Sequence, residues 1–187
     1  MSSEKLSSTI LVKEHEVILK AIDALDRKIE EFRKTKTIDV EFLRSLLEFS
    51  RTFIDRCHHG KEELCLFPCL EKRGIPRDGG PIGVMLMEHE MGRSLVRQIS
   101  ERLDNYAAKH GKTDFEKILN LCSEYVELLR QHIYKENHIL FPMGDGVIDE
   151  QDDKQNIECY EKKEHEIGHE THHRMEQLAE ELSRKTT

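Results

Sequence analysis

Two short stretches of the sequence, HHGKEELCLFP at 58–68 and HIYKENHILFP at 132–142, carry the same His-x-x-x-Glu spacing and the same LFP ending. They lie 74 residues apart, and the triplet EHE recurs at that same separation, at 14–16 and at 88–90. Side chains four residues apart leave a helix on one face, so each histidine and its glutamate can hold one metal ion or two adjacent ions. Generic helix patterning does not repeat polar residues at a fixed offset. The sequence therefore predicts one helical hairpin that is used twice.

The elements that must position these residues are long amphipathic helices. Apolar residues recur at three- and four-residue steps over about 8–32, 39–70, 82–109, 113–141 and 157–182, which is the spacing of a buried helix stripe. Charged residues make up 35% of the chain and apolar residues 37%, a composition typical of such helices. Because the links are short, antiparallel neighbours are favoured. The predicted fold is all-α, an up-down-up-down four-helix bundle built from the duplicated hairpin, with a C-terminal fifth helix.

Length and charge limit the domain count and the binding partners. The 187 residues suit one domain over 1–187, with the bundle at about 8–143 and the added helix at about 155–184. A net charge of −8 without a basic stripe argues against nucleic acid as a partner. No apolar run is long enough to cross a bilayer, and the N-terminus lacks the apolar core of a signal peptide. We therefore expect a cytoplasmic protein that does not associate with membranes.

The cysteines are interpreted as reduced thiols. Their number is 5, and an odd count on a chain of this length does not suit a disulfide framework. Cys65 and Cys69 share a helix face, but the sequence contains neither a CxxC pair nor a four-cysteine zinc pattern. A redox role for this pair is the less favoured alternative.

Six of the repeated polar residues fall on the apolar, inward-facing stripes of the predicted helices. Burying imidazoles and carboxylates without compensation costs several kcal/mol per charge, so we predict that they bind metal. The alternative is a set of hydrogen-bonded core histidines with protonated glutamates. Imidazole and carboxylate ligands without thiolates favour iron or manganese, although zinc and copper also bind histidine. A dinuclear centre of this composition leaves positions open for a small exogenous molecule. The predicted ligands are His15, His58, Glu62, His89, His132 and Glu136.

At these residues the sequence resembles the hemerythrin-like, or HHE cation-binding, family. The resemblance covers about 8–143 and rests on the histidine at 15, the EHE triplet at 88–90, both His-x-x-x-Glu pairs and both LFP endings. It implies a non-haem di-iron centre, oxo- or hydroxo-bridged, that binds O2 reversibly or reacts with O2, nitric oxide or peroxide. The implied ligand roles are terminal for His15 and His58 on one ion, terminal for His89 and His132 on the other, and bridging for Glu62 and Glu136.

One position departs from the oxygen-carrying hemerythrins, in which the third helix supplies a second histidine one turn after the first. Here the residue one turn after His89 is Arg93. Losing that ligand leaves an additional open position, which favours sensing or redox chemistry over simple O2 storage. The Arg93 guanidinium could instead hydrogen-bond a bound anion such as peroxide.

His59 and Glu63 are also four residues apart, but they are rotated by about 100° from the predicted ligands. The matching positions in the second half hold Ile133 and Asn137. We therefore interpret His59 and Glu63 as a solvated or helix-packing flank, with a contact to the fifth helix as the alternative.

The fifth helix carries its own histidines, in EKKEHEIGHETHH at 161–173. His165 and His169 recur on one stripe with either His172 or His173. An exposed polar edge is the favoured interpretation. The alternatives are a further metal site, a cap on the mouth of the bundle, or a switch that protonates near neutral pH.

The function expected from the sequence is a di-iron protein that binds O2, or nitric oxide, for sensing, storage or protection. One alternative is a di-iron redox enzyme, such as a peroxidase, an oxidase or a nitric oxide reductase. Another is a metal-responsive interaction module, in which metal loss loosens the bundle and exposes a surface for a protein partner. Manganese or zinc in place of iron stays open.

Overall fold

The computed structural model describes residues 5–186, and every regular element within them is helical, as predicted. Its α-helices are α1 Leu6–Thr35, α2 Val40–Phe49, α3 Phe67–Lys72, α4 Pro81–Lys109, α5 Lys112–Lys135, α6 Phe141–Asp145, α7 Glu150–Ile167 and α8 His169–Arg184. Its π-helical segments are π1 Ser50–His59, π2 Glu62–Leu66 and π3 Glu136–Leu140. None of the described helices is long and apolar enough to cross a membrane. The predicted domain limits at 1 and 187 lie outside the described residues.

The two LFP motifs each follow a π-helical turn. The backbone N–H of Phe67 donates to the carbonyl of Glu62, five residues earlier, and Phe141 donates in the same way to Glu136. The proline after each phenylalanine has no N–H, and its ring crowds the carbonyl four residues before it. We attribute the local change from four-residue to five-residue hydrogen bonding to this proline. The duplication therefore extends to the backbone that carries the two predicted bridging glutamates.

Two apolar cores stabilise the molecule. The larger one includes Ile22, Phe32 and Phe42 and lies among α1, α2, α4, α5 and α8. The smaller one includes Leu11 and Phe141 and lies around π2, π3 and α7. On α1, His15 lies between Leu11, which belongs to the smaller core, and Ile18, which belongs to the larger core. The predicted ligands therefore lie between the two cores.

The C-terminal region is not the single helix predicted over 157–182. Helix α7 begins earlier, after Asp149, whose side chain accepts from the N–H of Asp152 while the Asp152 side chain accepts from the N–H of Asp149. This reciprocal capping box fixes its start. The helix then ends at Gly168, whose φ of 96° is a conformation that favours glycine. Helices α7 and α8 both pack on α1 and π1, and α7 also packs on π2.

The interpretation of all cysteines as reduced thiols is wrong for one pair. Cys65 on π2 and Cys159 on α7 form a disulfide across 94 residues of sequence. The packing of α7 on π2 brings these two thiols together, and sequence spacing gives no sign of that contact. Cys57, Cys69 and Cys122 are free.

Candidate metal centre

Seven side chains from six helical elements converge between the two cores. Each is at most 5% exposed. Six are the residues predicted as ligands, and the seventh is His59. They are His15 on α1, His58 and His59 on π1, Glu62 on π2, His89 on α4, His132 on α5 and Glu136 on π3.

One cluster of potential ligands consists of His15, His58, Glu62 and Glu136. The Nε2 atoms of His15 and His58 face each other at 2.8 Å. Glu136 Oε2 lies 3.2 Å from the His15 nitrogen, and Glu62 Oε1 lies 3.3 Å from the His58 nitrogen. Two imidazoles and two carboxylates therefore point at one small volume.

A second cluster consists of His59, His89, His132 and Glu62. The Nε2 atoms of His89 and His132 are 3.2 Å apart, and Glu62 Oε2 lies 3.3 Å from the His89 nitrogen. The His59 ring stacks on His89 with centroids 3.7 Å apart. Glu62 thus directs one oxygen to each cluster. Glu136 belongs to the first cluster, and its Oε2 atom also lies 3.3 Å from His132 Nε2 of the second cluster.

The carboxylates of Glu62 and Glu136 fit a metal better than they fit the protein alone. All four of their oxygens are buried, and none has a hydrogen-bond partner among residues 5–186. The nearby imidazole nitrogens are close to these oxygens without the alignment of a hydrogen bond. A buried carboxylate without a hydrogen bond raises the free energy of the folded protein unless a cation compensates its charge. The clusters of imidazole and carboxylate donors are suited to binding a metal cation.

Glutamates next to the α1 and α4 histidines orient the histidines of the neighbouring helices. His58 Nδ1 lies 2.9 Å from Glu14 Oε2, and His132 Nδ1 lies 3.0 Å from Glu88 Oε2. These two contacts are related by the same repeat. An acceptor on Nδ1 fixes the tautomer that leaves Nε2 free as a ligand and increases its basicity.

His89 and His15 are oriented by the residues that follow Glu62 and Glu136 in the sequence. His89 Nδ1 lies 2.7 Å from Glu63 Oε1, and His15 Nδ1 lies 2.7 Å from Asn137 Oδ1. Glu63 and Asn137 occupy matching positions of the repeat, although their side chains differ in charge. The two residues differ in type, and what they share is a side-chain oxygen that can accept a hydrogen bond from an imidazole nitrogen.

A lysine supports each orienting glutamate. Lys61 is fully buried and forms ion pairs with Glu14 and with Glu164 of α7. Lys135 forms the matching pair with Glu88, but its side chain is 30% exposed. Each half therefore contains a Lys–Glu–His chain that ends at the metal centre.

In the absence of metal, imidazoles of the two clusters hold protons. Burial disfavours the charged imidazole of His132, yet the Glu136 and Glu88 carboxylates raise its pKa to about 10. Burial and the charge of Glu136 oppose ionisation of Glu62, but the His58 and His89 imidazoles lower its pKa overall. A metal that binds these nitrogens must therefore displace protons.

The sequence matches the family model described as the hemerythrin HHE cation binding domain over residues 6–144. The chain belongs to the hemerythrin HHE family. This confirms the resemblance on which the ligand roles were based. The matched range includes every residue of both clusters and excludes α7 and α8.

Proteins similar to this chain include several named iron-sulfur cluster repair protein YtfE. The one from Edwardsiella ictaluri is 32% identical over 123 residues, which cover 65% of this chain and 55% of that protein. Those from Salmonella schwarzengrund and Enterobacter sp. strain 638 are 37% and 34% identical over 87 and 86 residues, each covering 46% of this chain and 39% of the relative. The chain therefore spans about half, or less, of the length of these curated relatives.

Arg93 does not occupy the place of the missing HHE-family histidine. Its guanidinium donates to Asp55, Glu63 and Glu90 at 2.6–2.7 Å. Three carboxylates therefore compensate the Arg93 guanidinium, and one of them, Glu63, also holds His89. The structure does not support a direct contact of Arg93 with a metal-bound anion.

His59 is buried in the second cluster, so its interpretation as a solvated flank is wrong. It lies in π1, where the N–H of Gly60 donates to the carbonyl of Asp55, five residues back. Such a turn is wider than an α-helical turn, so successive side chains are rotated by less than about 100° and His58 and His59 both face inward. Burial, followed by the charges of His89 and His132, lowers the pKa of His59, which stays neutral. The doublet HH, in a chain that lacks the second histidine of the third helix, is the signal that could have identified it.

The favoured interpretation of the C-terminal histidines as an exposed polar edge is confirmed for His165 and His169 but not for His172, which belongs to a group of three potential metal ligands with Glu14 and Cys57. His165 and His169 are exposed, and among the described residues neither belongs to a group of three potential metal ligands. His172 instead reaches the bundle, with Nε2 at 3.5 Å from Glu14 Oε1 and its ring against Phe53. A hydrogen bond with the Cys57 side chain, and then that with Glu14, raises the pKa of His172 to about 10.

Proposed function

We propose that this HHE-family chain binds a dinuclear non-haem iron centre and uses it to bind a small ligand, O2 or nitric oxide. The supporting observation is the pair of buried clusters that share Glu62, with four oxygens that have no hydrogen bond among the described residues. Imidazole and carboxylate ligands suit iron, and manganese is the nearest alternative. The proposed arrangement around this centre is the up-down-up-down bundle, supported by the packing of α1 and α4 on α5.

The proposed ligands divide unequally between the two ions. His15 and His58 would hold one ion, His59, His89 and His132 the other, and Glu62 and Glu136 would bridge them. When bound, the metal pair supplies redox chemistry and an electrophilic position for the small ligand. The cluster with His15 and His58 would offer its ion one histidine fewer than the other cluster, so we propose this side of the centre as the place where the small ligand would bind.

The surrounding residues prepare this centre before any ligand arrives. Four histidines are held at Nδ1 by acceptors at 2.7–3.0 Å, so their rings do not need to reorient when metal binds. The ligands are at most 5% exposed, which excludes bulk water from the reactive volume. A dry, preorganised centre is suited to a small uncharged gas.

The proposal is tested by anaerobic purification, metal analysis and optical spectra recorded on adding air or nitric oxide. We expect two iron ions per chain and charge-transfer bands that change with the gas. Glu62→Ala should lose both ions because both clusters use this residue. His138→Ala is the control, since His138 stacks on Tyr134 outside both clusters and should leave the iron content unchanged. A colourless protein with two zinc ions, or full iron loading in Glu62→Ala, would overturn the proposal.

A second function is favoured by the similar proteins, which are named iron-sulfur cluster repair protein YtfE. In that role the iron is cargo that the chain passes to a damaged cluster. The test is to mix the iron-loaded protein with an iron-depleted iron-sulfur protein and follow recovery of the cluster absorbance. Recovery that needs the wild-type chain and fails with Glu62→Ala supports repair. Gas-dependent spectra without iron transfer support the first function.

A further inference from the structure

A cavity of about 140 Å³ reaches from the surface to His59. Its walls come from π1, α4 and α5, and none of its lining residues belongs to the C-terminal helices. Apolar side chains including Ile54 and Val96 line part of it, and arginines line another part. Its volume suits a molecule of only a few heavy atoms.

His59 is the one histidine of the two clusters whose Nδ1 lacks a hydrogen-bond partner among residues 5–186. The residue is 5% exposed, and the Nδ1 atom itself is buried. The nearest candidate acceptor, Asp55 Oδ1, lies 3.8 Å away and already accepts from Arg93 Nε at 2.7 Å. Asp55 also lines the cavity, so the unpartnered nitrogen lies on the cavity side of the ring. An oxygen atom in the cavity would give His59 the acceptor that the other four histidines already have.

The charge of the lining is positive. Arg51 and Arg97 line the cavity from exposed positions and form no ion pair within the described part of the chain. Arg93 and Asp55 compensate each other, and Arg93 has two further carboxylate partners. Two guanidinium groups are therefore available to an anion, and arginine matches the planar geometry of a carboxylate.

Gly92 leaves the space for this cavity. The matching residue of the first half is Ile18, which is buried in the larger core. A Cβ added at Gly92 would be in ordinary van der Waals contact, 3.8 Å from Tyr125 and 3.9 Å from Leu128, so this position accepts a side chain without a clash at Cβ. The duplicated hairpin is thus filled at this position in one half and open in the other.

We propose that this cavity is a binding site for a small planar oxyanion of the carboxylate class, held by Arg51 and Arg97 and accepting a hydrogen bond from His59. The site is separate from the open position of the metal centre, because it contacts the outward side of one ligand. It does not depend on the identity of the metal, and it is present in the metal-free protein. Through His59, an anion bound here would link its own concentration to the properties of one metal ion.

The test is isothermal titration of the full metal-free chain with sodium formate, using formamide as the neutral molecule of the same shape. We expect one formate per chain and no heat from formamide. Arg51→Gln/Arg97→Gln should weaken formate binding at least tenfold. Arg56→Gln removes an exposed arginine of the same π1 segment that does not line the cavity, and binding should stay within twofold.

Two further variants locate the anion. Gly92→Ile fills the cavity with the side chain found at the matching position, and it should abolish formate binding while circular dichroism shows a folded chain. His59→Phe retains the ring but removes the donor and should weaken binding. The proposal is overturned if wild type binds no formate, or if binding persists in folded Gly92→Ile, which would place the anion among the metal ligands. If Gly92→Ile does not fold, the arginine pair decides, and undiminished binding there overturns the proposal.

Discussion

The two halves of the duplicated hairpin contain the same polar chain in different surroundings. In the first half, Lys61 and Glu14 are covered by α7 and α8, and the lysine side chain is 0% exposed. In the second half, the matching Lys135 is 30% exposed and Glu88 is 11% exposed. The difference indicates that the repeat determines the Lys–Glu–His chain, whereas α7 and α8 determine how deeply that chain is buried.

The halves also differ in what they offer to the metal. His59 in the first half corresponds to Ile133 in the second, and both are buried. The substitution gives the clusters unequal numbers of histidines, although the hairpin that carries them is repeated. Duplication therefore accounts for the paired glutamates Glu62 and Glu136, and divergence at one position accounts for the unequal number of histidines.

The largest expected effect comes from removing the buried lysine. Lys61→Met leaves Glu14 and Glu164 without their shared cation, and breaking a buried ion pair costs about 3–5 kcal/mol. Lys135→Met breaks the matching, partly exposed pair and should cost about 0–1 kcal/mol. Urea unfolding of the metal-free variants measures both values. Equal losses would mean that α7 and α8 do not change the surroundings of the first half.

The next effect concerns the disulfide, which joins the first half to α7 and has no counterpart in the second half among the described residues. Cys65 bonds to Cys159, whereas the matching position 139 holds an isoleucine that is 48% exposed. Cys159→Ser should lower the free energy of unfolding by about 2–4 kcal/mol, because the crosslink restricts the unfolded chain. Cys69→Ser is the control and should change it little. The loss should disappear when both proteins are unfolded in a reducing agent, and a loss that persists would assign it to packing.

The sequence predicted the parts of this molecule that the repeat encodes. The six predicted ligands were identified from polar residues matched at a fixed offset, and the structure places all six in the two neighbouring clusters. The helices came from apolar periodicity, which reports burial directly. Both signals are local or repeated, so they can be read without knowing how the chain packs.

The features that were missed depend on backbone geometry or on long-range packing. The α-helical rotation of about 100° per residue placed His59 outside the centre, and the π-helical turn invalidates that angle. The break at Gly168 and the Cys65–Cys159 bond depend on how α7 lies on the bundle. No residue pattern within the C-terminal segment indicates which face of the bundle it covers.

A smaller effect is expected from making the two halves alike at the divergent position. His59→Ile should weaken the binding of one of the two ions about tenfold, which corresponds to about 1.4 kcal/mol, and leave the other ion in place. Competition with a chelator, followed by metal analysis, separates the two affinities. Val17→Ala, a partly buried change packed on the larger core, is the control. Simultaneous loss of both ions would show that His59 supports the fold of the whole centre.

The smallest effect concerns His172, a third partner of Glu14 for which the second half shows no equivalent among the described residues. Its pKa rises from 6.5 to about 10 on folding. Its stabilising contribution is therefore fully present below about pH 6.5 and is lost as the pH rises through about 10. His172→Gln should destabilise the metal-free protein by about 1 kcal/mol at pH 6 and by almost nothing at pH 10.5.

Urea unfolding at both pH values measures this difference. His173→Gln is the matched control, because that side chain is 70% exposed and should have no effect at either pH. A loss from His172→Gln that stays the same at pH 10.5 would show that the ring stabilises α8 by packing on Phe53, not by its charge. The pH dependence therefore decides whether the added helices cover the first half only sterically or also supply a cation to its Lys–Glu–His chain.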